Sequence, residues 1–409
     1  MLFPLDNRHF ITELLDKKAE ELLLDDDNYE ERLLEVATLF RGFDEAFTSF
    51  IKEHGYTGDL SDTPAKVEFL RDKFKAVHIK LPRGLFVPNR KISRETAFQI
   101  CFALGLDVDE TKDFFRCVQF ERGFDCHTIN EAVYYFCMRK GLSYDEAQEM
   151  IHSIPIPKKM KKLPDCDVLY TGAIIENLNN IEDKEKLIHY ITENIDEFRY
   201  NNVTALKYIR DLWNDISKEN GLAVQEGTVI DSHNSFKNKQ NQEDDYVIAH
   251  PNASTWTIFS QIMGLRNYQE SEFSIKYDRS LTSVLSDNRL MPLKAEYCFP
   301  NRQNIDKLLR KELVGKGEII RKMLIFLVFY TYWAKRIIRK KRDSNIVEDN
   351  DFERCLDMIN ARLLGAGYPE LYIGNPYDWL FMWALKDYDN PLFAFRYYMG
   401  EVFAEAAEN

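Results

Sequence analysis

Positive side chains gather in one part of this chain in a way that points to contact with a polyanion. Between Ser61 and Arg94, Lys66, Arg71, Lys73, Lys75, Lys80, Arg83, Arg90, Lys91 and Arg94 outnumber Asp62, Glu68 and Asp72, a balance of +6 over 34 residues of a protein whose formal net charge is -13. Clustered Lys and Arg are what phosphate contact requires, because each neutralised phosphate releases condensed counterions. The overall acidity argues against coating nucleic acid or an anionic membrane with the whole surface, but it permits a local basic face. A second group, Lys335, Arg336, Arg339, Lys340, Lys341 and Arg342, ends the helical stretch Gly317 to Arg342. Cations there suit the negative end of a helix dipole, so a solvated helix end is the first reading and a nucleic-acid contact the second.

Other chemistry is not signalled. The eight histidines are scattered over different expected elements, and no HExxH pair, glycine-rich phosphate loop, nucleophile elbow or kinase signature occurs. Gly315-Lys316-Gly317 lacks the rest of a P-loop and reads as a helix start. Asp25-Asp26-Asp27 lacks the alternating oxygen ligands of a calcium loop. The seven cysteines form no CxxC pair and lie mostly in apolar helical patterns, as reduced core thiols do. No catalytic residue, metal site or cofactor is therefore expected, and the chain is read as a non-enzyme; a hidden nuclease or phosphotransferase would need a convergent acidic or His-containing pocket.

The elements that must position the basic groups read as helices. Only 17 Gly and 13 Pro interrupt 409 residues, enough chain for two or three domains. Residues 1 to 60 carry apolar marks at helical spacing (Phe10, Leu14, Leu22, Leu33, Leu34, Phe40), and residues 1 to 30 hold nine acids against three bases, an acidic outer face. Residues 61 to 154 contain a tandem helical-hairpin repeat: the segment from Ile92 lies on the segment from Thr128 at a constant offset of 36, matching Glu95 with Glu131, Cys101 with Cys137, Gly105-Leu106 with Gly141-Leu142 and Asp109-Glu110 with Asp145-Glu146. Each unit reads as a helix stopped by a left-handed glycine, a turn, and a second helix with an acidic first turn. Ser93 is placed to cap toward Thr96, and Ser143-x-x-Glu146 is a capping-box pattern.

Pro155, Pro157 and Pro164 with four lysines mark a boundary, followed by a helical middle domain over 165 to 226. The polar stretch within 227 to 250 predicts a flexible linker or loop. A helical C-terminal domain over 251 to 409 completes an all-α, multi-helical fold. Within it, a short helix ends at Gly264, helices are expected near 350 to 364 and 376 to 399, and Asn375 caps a helix that begins with Pro376 and sends Trp379 into the core. The longest apolar run, Met323 to Ala334, has 12 residues, short of the roughly 20 that span a bilayer. With no basic-then-apolar leader at Met1-Leu2-Phe3-Pro4, a cytoplasmic location without a membrane partner is expected.

The segment Asn89-Arg90-Lys91-Ile92-Ser93-Arg94-Glu95-Thr96 through Ala103-Leu104-Gly105-Leu106-Asp107-Val108-Asp109-Glu110 resembles the second half of the lambda-repressor-like helix-turn-helix domain. More broadly, residues 61 to 151 resemble regulator-like proteins of Gram-positive bacteria, with Glu131-Ala132-Val133-Tyr134-Tyr135-Phe136-Cys137 typical of the second helical unit. The resemblance implies a degenerate helix-turn-helix region, a DNA-binding transcriptional regulator of bacterial or mobile-element origin, and double-stranded DNA as partner. The DNA-reading helix would lie within Leu81 to Asn89, a stretch that contains Pro82, Gly84 and Pro88, which disfavour a regular helix. Arg83, Asn89, Arg90, Lys91 and Arg94 are then the expected DNA contacts. The alternative is a helical scaffold that has kept these helices for protein contacts, with a protein partner or a second copy of itself.

Overall fold

The computed structural model describes Leu33, residues 42–88, 92–155 except 120, 122 and 127, 171–198 except 196 and 197, 203–237, 253–264, 302–309, 317–340, 346–385 except 374, and 389–396. Every regular element among these residues is helical. The chain divides into two compact units, one formed by Met1–Glu20 and Leu39–Val203 and the other by Glu21–Thr38 and Thr204–Asn409. Of the described residues among the first 60, Leu33 falls in the second unit and residues 42–60 in the first. The middle stretch read as 165 to 226 is likewise divided, at Val203.

In the first unit, α1 (Phe43–Glu53) and α2 (Thr63–Lys75) lead through a 3-10 helix, Pro82–Phe86, to α3 (Arg94–Leu104) and α4 (Val108–Phe114). A π-helical turn, Phe115–Gln119, follows α4. Next come α5 (Ile129–Lys140), α6 (Tyr144–Ser153), α7 (Thr171–Asn179) and α8 (Lys184–Glu193). Side-chain capping sets these boundaries, since the first helical N–H groups need acceptors. Ser93 accepts from the Thr96 N–H, and Thr128 from that of Glu131. Asp107 with Glu110 and Ser143 with Glu146 form full capping boxes. Helices α3 and α5 stop at Gly105 and Gly141, with φ of 69° and 67°. The stops keep the offset of 36, whereas the starting caps, Ser93 and Thr128, are one residue closer, because α5 is 12 residues long and α3 is 11.

The core of this unit is aromatic. Phe47 stacks on Phe74 and Phe86 and meets Phe114 edge-on, while Phe98 contacts Phe115, Phe124 and Tyr134. Cys101 and Cys137 are both fully buried, and burial raises both thiols, Cys137 to about 12. Neither supplies a thiolate near neutral pH, so their matched positions serve packing.

The second unit contains α9 (Val203–Ser217), α10 (Leu222–Lys237), α11 (Thr255–Met263), α12 (Arg302–Leu309), α13 (Gly317–Lys340), α14 (Asp351–Gly365) and α15 (Pro376–Leu385). Helix α13 packs against α10 and α14, and its side chains from Ile319 to Tyr330 are all buried, as expected of a helix apolar nearly all round. Phe326, Phe329 and Phe381 all contact the ring of Phe395. Several of the charged groups buried in this core are paired. Arg321 makes two bonds of 2.7 Å to Asp378, and Arg396 holds Glu226 at 2.6 and 3.0 Å while Tyr330 donates to the same carboxylate. Asn375 accepts from the Tyr377 N–H at 2.9 Å, and the fully buried Trp379 donates to the Leu33 carbonyl, so the expected cap and core tryptophan are present.

Two elements differ from the sequence reading. Residues 227 to 237, expected in a loop, belong to α10, whose N-terminal part buries Leu222, Ala223 and Glu226; a helix started there by burial extends into the polar stretch, since propagation costs less than nucleation. The helix expected over 376 to 399 ends at Leu385, and a new one starts after Asn390, whose side chain accepts from the Phe393 N–H. The remainder of the expected linker, 238 to 250, lies outside the described residues.

Candidate functional site

The basic stretch runs along α2 and continues past its C-terminal end. The His78 N–H donates to the Lys75 carbonyl and the Ile79 N–H to that of Phe74, a Schellman closure with His78 at the left-handed position, φ 63°. Histidine is among the few side chains that tolerate this region, and its Nε2 sits 2.8 Å from Asp145 on α6. The chain then enters the 3-10 helix at Pro82, where a five-residue turn stands in the place that the repressor-like resemblance assigns to a DNA-reading helix. Leu85 is 4% exposed, and Phe86 stacks on Phe47 with ring centres 5.5 Å apart. These two anchors fix the turn to the core and leave the opposite side chains outward. Leu81 is 77% and Val87 49% exposed, and Lys75, Lys80 and Arg83 are exposed beside them.

Lys66 has the opposite fate. It is buried, its Nζ bonds the Thr48 hydroxyl at 3.2 Å and lies 4.6 Å above the Phe86 ring, and burial lowers its affinity for a proton. Arg94 also turns inward. Its Nε and Nη2 clasp both oxygens of Glu131 at 3.0 and 2.8 Å, Nη1 reaches Glu121 at 3.1 Å, and Nη2 donates to the Gly123 carbonyl at 2.8 Å. The guanidinium lies 4.7 Å over the Phe115 ring. A planar fork used in this bidentate way has little donor capacity left for a phosphate.

Glu131 and Glu95, which correspond in the 36-residue alignment, brace the helices in opposite directions. Glu131 on α5 receives Arg94 from α3, whereas Glu95 on α3 accepts from Tyr134 on α5 and Tyr144 on α6 at 2.6 and 2.7 Å. Burial, followed by the Glu95 carboxylate, raises both phenols, Tyr144 to about 12. Both are therefore hydrogen-bond donors near neutrality and not bases.

In the second basic group, Glu348 collects Arg336, Arg339 and Lys340. Arg336 also pairs with the fully buried Asp351, which accepts from Tyr332. The Arg336 hydrogen bond is the main reason that the Glu348 carboxyl is held below the usual range. Lys335 is exposed. Of the residues singled out from sequence, Arg83 is exposed on the turn and Arg94 is internal to the helix packing. Asn89, Arg90, Lys91, Lys341 and Arg342 lie outside the described residues, as do the acidic residues 1 to 30.

The sequence reading did not select Leu81 and Val87. The available signal was an apolar residue immediately before each proline of the turn, Leu81-Pro82 and Val87-Pro88, a position that proline keeps out of helix. No group of three or more His, Cys, Asp or Glu side chains suited to a metal occurs among the described residues. Nor is any of the helices described long and apolar enough to cross a membrane. The chain matches no family model, and no curated protein or solved structure is significantly similar to it.

Proposed function

We propose that this protein is an all-helical scaffold that binds a protein partner through the turn at residues 80–88. The observation that carries this reading is the exposure of Leu81 and Val87, at 77% and 49%, on a turn pinned to the core by Leu85 and Phe86. Covering such side chains contributes about 1.5–3 kcal/mol each when burial is complete. A turn held from beneath also loses little entropy on association. The tandem helical hairpins, braced by Glu95 and Glu131, serve in this reading as the rigid base that presents the turn.

The rival reading is a DNA-binding regulator that makes contacts within residues 61 to 116. It draws on the exposed Lys75, Lys80 and Arg83 and on the repressor-like resemblance, but it must do without Arg94 and Lys66. A photoreactive side chain placed in turn at Leu81, Val87 and the exposed Lys218 of the second unit separates the two readings. We expect discrete protein adducts from the first two positions and none from Lys218. Absence of adducts, together with duplex binding that falls steeply with salt and disappears when Arg83, Arg90 and Lys91 are replaced by Gln, would overturn the scaffold reading.

A further inference from the structure

We infer that the partner segment at this turn is an acidic peptide with interspersed apolar side chains, an inference that rests on the protein-binding reading above. From Lys73 to Arg94 the chain contains no Asp or Glu in 22 residues, although the whole protein has 67 acids. The acids that flank this stretch at Glu95 and Asp145 are already engaged, by two phenols and by His78 respectively. Asp72 is exposed at its upstream edge, and Glu68 pairs with Arg71.

Some exposed cations elsewhere have acidic partners three residues away, as Lys112 has Asp109, Arg116 has Asp113, Lys186 has Asp183 and Lys218 has Asp215, and others, such as Lys184 and Lys207, form no ion pair among the described residues; what sets Lys80 and Arg83 apart is the length of acid-free chain around them. Lys75, Lys80 and Arg83 form no ion pair among the described residues. Lys80 and Arg83, with Lys75 upstream next to the exposed Asp72, therefore share one short stretch of chain with two exposed apolar side chains. A uniformly charged phosphate backbone would leave Leu81 and Val87 without apolar contacts. A neutral apolar segment would leave the cations without counter-charges. A peptide that alternates carboxylates with Leu or Phe satisfies both sets of groups, with charges at the rim setting specificity and encounter rate and apolar groups at the centre excluding water.

The test is a fluorescence anisotropy titration of the full chain with three labelled synthetic peptides: one with Asp and Glu between Leu and Phe, one with the acids changed to Asn and Gln, and one with the apolar residues changed to Ser. We expect binding of the first, weakened by about tenfold or more in each of the other two. A comparable loss is expected in the Lys80→Glu/Arg83→Glu and Leu81→Ser/Val87→Ser variants, whose circular dichroism should match the parent. A basic version of the peptide should regain binding to the Lys80→Glu/Arg83→Glu variant, which a folding defect would not allow. Equal binding of the acidic and amide peptides would overturn the charge inference and leave protein binding in place. Failure of all three peptides while photo-adducts still form at Leu81 would do the same. A mixed-sequence duplex that binds the parent and is lost in the same variants, with no peptide bound, would overturn both this inference and the reading beneath it.

Discussion

Replacing Arg94 by Met separates an internal brace from a DNA contact by experiment. The arginine side chain is 25% exposed and its partners Glu131 and Glu121 are 11% and 29% exposed. Breaking a fully buried pair from one side costs about 3–5 kcal/mol, because the remaining charge loses its counter-ion but not its burial. With Arg94 a quarter exposed, water recovers part of that cost, and Met retains contact over Phe115. Glu131 also keeps the Asp125 N–H at 2.5 Å. We therefore expect a loss of about 2–3 kcal/mol. Because the chain has two units, a single global unfolding curve would blend them, so the appropriate readout is amide hydrogen exchange followed by mass spectrometry on peptides from α3 to α5. The loss corresponds to exchange about 30- to 140-fold faster in those peptides, with no change in α13. Arg94→Lys should fall between parent and Met, since it keeps the charge but not the two-pronged bond. Exchange within about twofold of the parent, combined with weakened duplex binding, would refute the brace and restore Arg94 as a surface contact, because exposed sites change stability by only about 0.5 kcal/mol.

Gly105→Ala and Gly141→Ala should each cost about 1 kcal/mol, since both glycines adopt positive φ and an added Cβ meets nothing within 4 Å. The same exchange experiment should find the two losses equal, and a larger one for Gly221→Ala, whose Cβ collides with the Ile216 carbonyl. In the second unit, Arg321→Met should cost about 3–5 kcal/mol by stranding the buried Asp378, and adding Asp378→Leu should restore much of it, although the Tyr372 N–H then loses its acceptor. Amide exchange of α13 and α15 that is no slower in the double variant than in the single one would contradict this account. At Glu146 the Ser143 N–H, then its hydroxyl, holds the carboxyl below its ordinary 4.5. The stabilisation is complete above that value and fades as pH falls through the lower folded value. Glu146→Gln should therefore flatten the acid limb of α6 exchange protection, and an unchanged limb would count against the capping box.

Much of the helical framework can be read along the chain because its causes lie within a few residues of one another. Ser143 and Glu146 cap across three positions, Asn375 caps the N–H groups just beyond Pro376, and Gly105, Gly141 and Gly264 stop helices through their own φ. The apolar run from Met323 likewise announces a buried helix by composition alone. The fate of the charges is not local in this sense. Lys66 and Arg83 look alike in sequence, but one is buried under Phe86 and the other is exposed on the same turn. Arg94 is consumed by a glutamate 37 residues away, and Arg396 by one 170 residues away. Likewise, α10 continues through a polar stretch whose composition predicts a loop. Local pattern sets where a helix begins and ends; which cations remain available to a partner depends on long-range packing, because ion pairing requires that two distant side chains be brought together and withdrawn from water.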